Sequence, residues 1–217
     1  MAIMLFDIHV HSDLSPCSNM KIEDIVTRAG QLGLDGVCIT DHHTMEIRHA
    51  MAEGIQGNGL CVLYGMEYST PQGDFLLFGP FEDLAPGLDG DLLLSTVRSC
   101  GGEAVAAHPF RKSRPGDERV IRSGLCHSVE CVNGRNTFQE NSAVEQWIRR
   151  YRLTRCGGSD AHRLDELGTF GTRFFMPIRS RADLIHALDQ GLCRPEMPTG
   201  HTPRSLQTPG TGRPHPV

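Results

Sequence analysis

The chain has 217 residues, with 26 acidic against 21 basic side chains and a formal net charge of −5. That length supports one well-packed domain with room for a tail, and the acidic balance offers no basic field for clamping long nucleic acid. No apolar run is long enough to span a bilayer and no basic-then-apolar leader is seen, so a soluble, cytoplasmic protein with no membrane partner is expected; nothing in the sequence speaks to oligomeric state.

Residues 2–10, AIMLFDIHV, have the apolar, β-branched character of a buried strand. Residues 22–33 place Ile22, Ile25, Val26, Ala29 and Leu32 at helical spacing, and Gly33 stops the helix. A short strand DGVCIT (35–40), a weaker helix (46–56), a strand GLCVLYGMEYS (59–69) and a strand DFLLFGP (74–80) follow. Then come a helix (91–100), a strand EAVAAH (103–108), a strand HSVECVN (127–133) and a helix (141–152). LTRCGGS (153–159), TRFFMPI (172–178) and a helix (181–191) complete the pattern. This β-then-α rhythm, repeated about seven times, predicts parallel strands with right-handed crossovers. The expected fold is α/β, a distorted seven-stranded β/α barrel of the TIM-like kind, with an open doubly wound sheet as the alternative. That domain is expected over residues 1–195. Residues 196–217 are rich in Pro, Gly and Thr and read as a disordered tail whose His201 and His215 are not ligands.

The polar residues collect at strand ends. His9 and His11 are one residue apart on the first strand, so their side chains share a face. Alone, an HxH pair is as readily two hydrogen-bonded core histidines as a chelate. The strand at 35–40 runs into Asp41, His42 and His43, and that at 59–69 carries Glu67. The strand at 103–108 ends on His108, and that at 153–159 runs into Asp160 and His162. The carboxyl ends of parallel barrel strands share one rim, so five strand ends delivering His, Asp or Glu favour the chelate. Imidazole with carboxylate suits zinc, manganese or iron, and so many donors imply two or three divalent ions. Such a centre generates a hydroxide near neutral pH and stabilises attacking and leaving oxygens in phosphoryl transfer. Eight cysteines without a CxxC pair read mostly as buried reduced thiols.

The motifs DIHVHS, ITDHHT, GMEYS, AAHPF and GGSDAH, spanning residues 7–162 in that order, resemble the PHP (polymerase and histidinol phosphatase) family. The resemblance implies the distorted barrel, up to three divalent ions, and hydrolysis of a phosphate ester. It also implies roles: His9, His11 and Asp160 on a first ion, Glu67 bridging to a second, His108 on the second, His42 and His162 on a third. Asp41 would orient a ligand from behind. The sequence departs from the family where Cys17 (a thiolate ligand or an inert residue), Leu76 and Asn133 or Asn136 replace expected ligands, which implies a less complete second and third site. His43, His127, His49 and His186 read as non-ligands, and Glu130 as a strand-end carboxylate that could reach the site. Arg135 and Arg111 follow strand ends and are the candidates for substrate phosphate.

The expected function is metal-dependent hydrolysis of a small phosphorylated substrate: a phosphomonoester, a nucleotide or a short oligonucleotide end. Two alternatives stand beside it. One is an amidohydrolase-like enzyme, disfavoured because the bridging lysine such sites use has only Lys21 and Lys112 as candidates. The other is a degenerate domain that binds metal or nucleotide without catalysis.

Overall fold

The computed structural model describes residues 3–197. In chain order the elements are β1 (Met4–Val10), α1 (Ile22–Gln31), β2 (Gly36–Ile39), a 3-10 turn (Glu46–His49), β3 (Gly54–Ile55), β4 (Cys61–Tyr64), β5 (Met66–Thr70) and β6 (Gly73–Phe78). There follow α2 (Gly90–Ser99), β7 (Glu103–Ala107), α3 (Glu118–Arg122), β8 (Ser128–Asn133), α4 (Phe138–Ala143), α5 (Glu145–Tyr151), β9 (Thr154–Gly158), β10 (Gly171–Phe174), α6 (Arg181–Asp189) and β11 (Cys193–Glu196).

The strands form two mixed sheets, not the expected closed barrel. One has six strands in the order β11-β10-β1-β2-β4-β3, and the other has five in the order β5-β6-β7-β8-β9. Only the β1–β2, β2–β4, β7–β8 and β8–β9 ladders are parallel; the other five are antiparallel. The β-then-α rhythm overcounted crossovers. The segment expected as one strand over 59–69 is two strands in different sheets, broken at Gly65, where a Cβ would lie 2.5 Å from the Leu77 carbonyl oxygen. β5 then turns directly into β6 through Pro71 and Gln72, and a hairpin cannot make a parallel pair. Near the chain's polar strand ends the sheets are tied by two isolated parallel bridges, Val10–Ala161 and His42–Glu67.

Two apolar clusters hold this arrangement. One packs the helices on the sheets: Ile22, Ile25, Val26 and Ala29 of α1 are buried with Val37, Ile39 and Val62, as their spacing requires. The other draws on both sheets, with Phe6, Ile8, Leu63, Leu76, Phe78, Val105 and Phe174, and is capped by Leu184, Ala187 and Leu188 of α6. Each Val, Leu, Ile or Phe among them contributes about 1.5–3 kcal/mol on full burial.

Other departures are local. The weak helix expected over 46–56 is only a 3-10 turn and the two-residue β3. The single helix expected over 141–152 is two, α4 and α5, and starts three residues earlier on a capping box between Thr137 and Glu140. β11 crosses the expected boundary at residue 195, since Glu196 pairs with Gly171 and binds Arg173. The remainder of the expected tail, 198–217 with His201 and His215, lies outside the described residues. All eight cysteines are free, and five are buried.

Candidate metal centre

The site is assembled where the two sheets meet. β1 brings His9 and, one residue past its end, His11; β2 leads into Asp41 and His42; β5 carries Glu67; β7 leads into His108; β9 leads into Asp160 and His162. Two glycines ending β9 let it lie against β1: a Cβ on Gly158 would stand 2.5 Å from the His9 Cβ. The buried Asp7 carboxylate accepts from the Ser159 and Gly168 amides at 3.0 and 2.9 Å, fixing the loop that presents Asp160. His43, His108 and Asp160 all adopt positive φ (55°, 31° and 56°), a costly backbone for residues with a Cβ.

All seven expected ligands stand together. The Nε2 atoms of His9 and His11 face each other at 3.1 Å. Glu67 Oε2 is 3.5 Å from the first and 3.3 Å from the second, and Asp160 Oδ1 is 3.5 and 3.4 Å away. Glu67 also meets His42 Nδ1 at 3.0 Å and, through Oε1, His108 Nε2 at 2.9 Å. The His162 ring lies 4.3 Å from that of His11, centroid to centroid. Four overlapping groups place one ligand atom per residue within 4.8 Å of the others: His11–His42–His162, His9–His108–Asp160, His9–His11–Glu67 and Glu67–Asp74–His108.

The partners behind these rings decide where the protons sit. His9 Nδ1 donates to Glu130 Oε1 at 3.0 Å, and Glu130 also accepts from the His108 amide and Asn133 Nδ2. His11 Nδ1 donates to Ser15 Oγ at 3.1 Å, because the Ser15 hydroxyl itself donates to Asp41 at 2.6 Å. Asp41 is held in turn by the amide and hydroxyl of Ser12. With both Nδ1 atoms protonated, both Nε2 lone pairs point at one another and at two carboxylates, an arrangement that calls for a cation between them. His162 follows the same pattern, donating Nδ1–H to the Asp160 carbonyl at 2.8 Å. His108 Nδ1 is buried without a partner.

The electrostatics agree. Burial alone would discharge His9, yet the carboxylates of Asp160, Glu130 and Glu67 outweigh it and hold its imidazole well above the usual range. His11 is raised against the same burial by hydrogen bonds to Asp160 and Glu67. Burial also opposes the charges of Glu67 and Asp160, but the neighbouring histidines depress both carboxyls. Positive charge is thus in demand at the centre of the cluster. At the rim, burial and the His11 charge push His162 down to about 4, leaving it a neutral donor of its Nε2 lone pair. Nitrogen and oxygen donors of this kind fit a borderline divalent ion.

The cluster floors a cleft of about 630 Å³. Arg111 and Arg135 both line it. Arg111 donates to Asp160 Oδ2 at 2.7 Å and to Asn133 and Asn136 at 2.9 Å each, so Asn133 and Asn136 hold an arginine. Arg135 is 43 % exposed, with Glu166 3.9 Å away. Two contributors, Asp74 and Ser15, escaped the sequence reading. Asp74 shares a face of β6 with Leu76, near Glu67 and His108, and Arg114 grips it bidentately at 2.6 Å. Glu130, expected as a strand-end carboxylate able to reach the site, is fully buried behind His9, on the same face of β8 as Ser128. Ser15 relays Asp41 to His11. Cys17 is exposed and joins none of the ligand groups; His43 lines the cleft and packs edge-on to Tyr68. His49, His127 and His186 are exposed.

Residues 7–156 match the PHP domain, and residues 138–193 match the PHP-associated family. The chain belongs to the PHP domain family. This PHP protein is similar to the uncharacterized protein MJ1587 of Methanocaldococcus jannaschii, 27% identical over 117 residues, which cover 49% of this chain and 68% of the other. Its fold is that of PsfC from Pseudomonas syringae, with a TM-score of 0.77 at 20% identity over 95% of this chain and 96% of that one. Endonuclease Q, solved on a 27-mer duplex with an abasic lesion at its active site, gives a TM-score of 0.66 at 15% identity, covering 89% of this PHP chain but 58% of the endonuclease. Among the described residues no helix is long and apolar enough to cross a membrane.

Proposed function

We propose that this PHP domain is a metal-dependent phosphoester hydrolase whose His9, His11, His42, Glu67, His108, Asp160 and His162 hold two or three divalent ions of the manganese, zinc or iron type. The observation that carries this reading is the pair of Nε2 lone pairs 3.1 Å apart, each with its ring proton committed elsewhere, beside two buried carboxylates. Bound ions would supply Lewis acidity toward phosphoryl oxygens and lower the pKa of water toward neutrality.

The protein's own groups do the rest. Glu67 reaches histidines on both sides of it and so joins adjacent positions. Glu130 and the Ser15–Asp41 pair fix the tautomers of His9 and His11. Arg111 steadies Asp160, and Arg111 and Arg135 offer guanidinium groups to substrate phosphate at the cleft wall. The net charge gives no ground for excluding long nucleic acid, because endonuclease Q of the same fold works on a duplex; phosphorylated small molecules and nucleic-acid ends both remain within the class. The amidohydrolase-like reading gains no lysine from the structure, since Lys21 and Lys112 are exposed and neither lines the cleft.

Purified protein should release phosphate from members of a broad phosphoester panel, lose that activity in chelator and regain it with Mn²⁺ or Zn²⁺. His9→Ala should abolish turnover. Activity indifferent to chelator refutes the metal mechanism, and fewer than about one bound ion with no turnover at all favours a non-catalytic domain.

A further inference from the structure

The walls of the cleft are unusual for an organic ligand site. Every side chain lining it is His, Arg, Ser, Asp or Glu. Sites for drug-sized ligands are predominantly apolar, and nucleobases are bound by stacking on aromatic faces. Here there is no Phe, Tyr or Trp and no aliphatic side chain on the wall; of its four imidazole rings, those of His42, His108 and His162 belong to the candidate ion groups and that of His43 packs edge-on to Tyr68, so a base finds little free stacking surface. Ser69 and Ser113 add hydroxyls suited to a polyol or an acid.

The three wall arginines have different amounts of charge to spare. Arg111 is engaged by Asp160, Asn133 and Asn136, and Arg114 by both oxygens of Asp74. Arg135 has the loosest ion pair of the three, 3.9 Å to Glu166, and its side chain is 43 % exposed at the cleft. A phosphoryl group seated on the ion cluster would leave this guanidinium available to a different anionic group of the same molecule.

Resting on the hydrolase reading above, we infer that the substrate is a small, polar, non-nucleotide phosphoester bearing a second anionic group, which Arg135 binds. The second group is a phosphate or a carboxylate. A planar fork of N–H donors recognises either one, and a charge-assisted contact of this kind shifts binding by roughly ten- to a hundredfold.

The test uses the full chain loaded with Mn²⁺ and matched substrate pairs. Fructose 1,6-bisphosphate against fructose 6-phosphate reads an added phosphate, 3-phosphoglycerate against glycerol 3-phosphate reads an added carboxylate, and adenosine 3′,5′-bisphosphate against AMP reads an added phosphate on a nucleotide. The better non-nucleotide pair should show a preference of about ten- to a hundredfold in kcat/KM for the doubly anionic member, expressed mainly in KM. Its identity tells phosphate from carboxylate. Arg135→Ala should collapse that ratio and Arg135→Lys should restore part of it. Equal kcat/KM within every non-nucleotide pair overturns the inference while leaving the hydrolase intact. So does a nucleotide that outperforms the best sugar or acid, or an Arg135→Ala loss that is equal for both members of a pair. No hydrolysis of any member with any metal refutes the hydrolase reading itself and the inference with it.

Discussion

Glu130→Gln isolates the role of the carboxylate behind His9. Glu130 accepts from three donors: His9 Nδ1 at 3.0 Å on one oxygen, and the His108 amide at 3.1 Å and Asn133 Nδ2 at 2.8 Å on the other. Glutamine keeps one oxygen. If the oxygen stays with His108 and Asn133, the amide NH₂ faces His9 Nδ1, which must then accept. The ring proton moves to Nε2, into the 3.1 Å gap shared with His11, and one ligand is lost. In the opposite orientation two buried donors lose their acceptor, at roughly 1–3 kcal/mol each. The first orientation therefore wins. The expected result is a 10- to 100-fold loss of metal affinity, about 1.4–2.7 kcal/mol, with the fold retained. Competition against a chelating indicator measures the affinity, and circular dichroism checks the fold. A Glu130→Gln protein that is folded and binds Mn²⁺ within twofold of wild type would show that Glu130 does not set the His9 tautomer.

Two further outcomes follow from the packing. Burial pushes the Glu103 carboxyl up to about 7, despite the hydrogen bond it accepts from Ser128 at 2.8 Å. Its folded-state pKa lies above the unfolded value of about 4.5, so the folded chain holds the extra proton: its stabilising contribution is complete below pH ~4.5 and is lost as pH rises through ~7, at most about 3 kcal/mol in all. Urea unfolding of Glu103→Gln should therefore show a flatter pH profile, with the variant gaining on wild type between pH 5 and 8; parallel profiles would exclude Glu103 as the source. Gly158→Ala places a Cβ 2.5 Å from the His9 Cβ and 2.9 Å from Glu130 Oε1. It should cost about 1–3 kcal/mol in thermal or urea unfolding and reduce bound metal, whereas unchanged metal content in a destabilised protein would mean that β1 and β9 adjust without moving His9.

The clustered donors were legible in the sequence because donors at strand ends leave local marks: HVH, DHH, AAHP and SDAH each couple a strand to a donor. The groups that hold those donors left no such mark. Glu130 sits within a strand, where alternation gives its face but not the ring of His9, 121 residues away in the chain, that it meets at 3.0 Å. Asp74 lies two residues from Leu76 on the same face, where the strand passes from apolar core to polar cleft, and reads from sequence as the start of a strand. Arg114 reaches Asp74 across 40 residues. The sheet topology was misread for a related reason. Gly65 moves the chain from one sheet to the other within a single residue, and an apolar run on both sides of it looks continuous. Strand direction is set by such connections, which hydrophobic pattern does not encode.

That hand-over at Gly65 divides the donors by ancestry: His9, His11 and His42 hang from the six-stranded layer, Glu67, His108 and Asp160 from the five-stranded one. An ion seated among them would act as a rivet across the seam. Stripping it should let the two layers gape first at the cleft mouth, and raising its concentration should lift the melting temperature in step with occupancy.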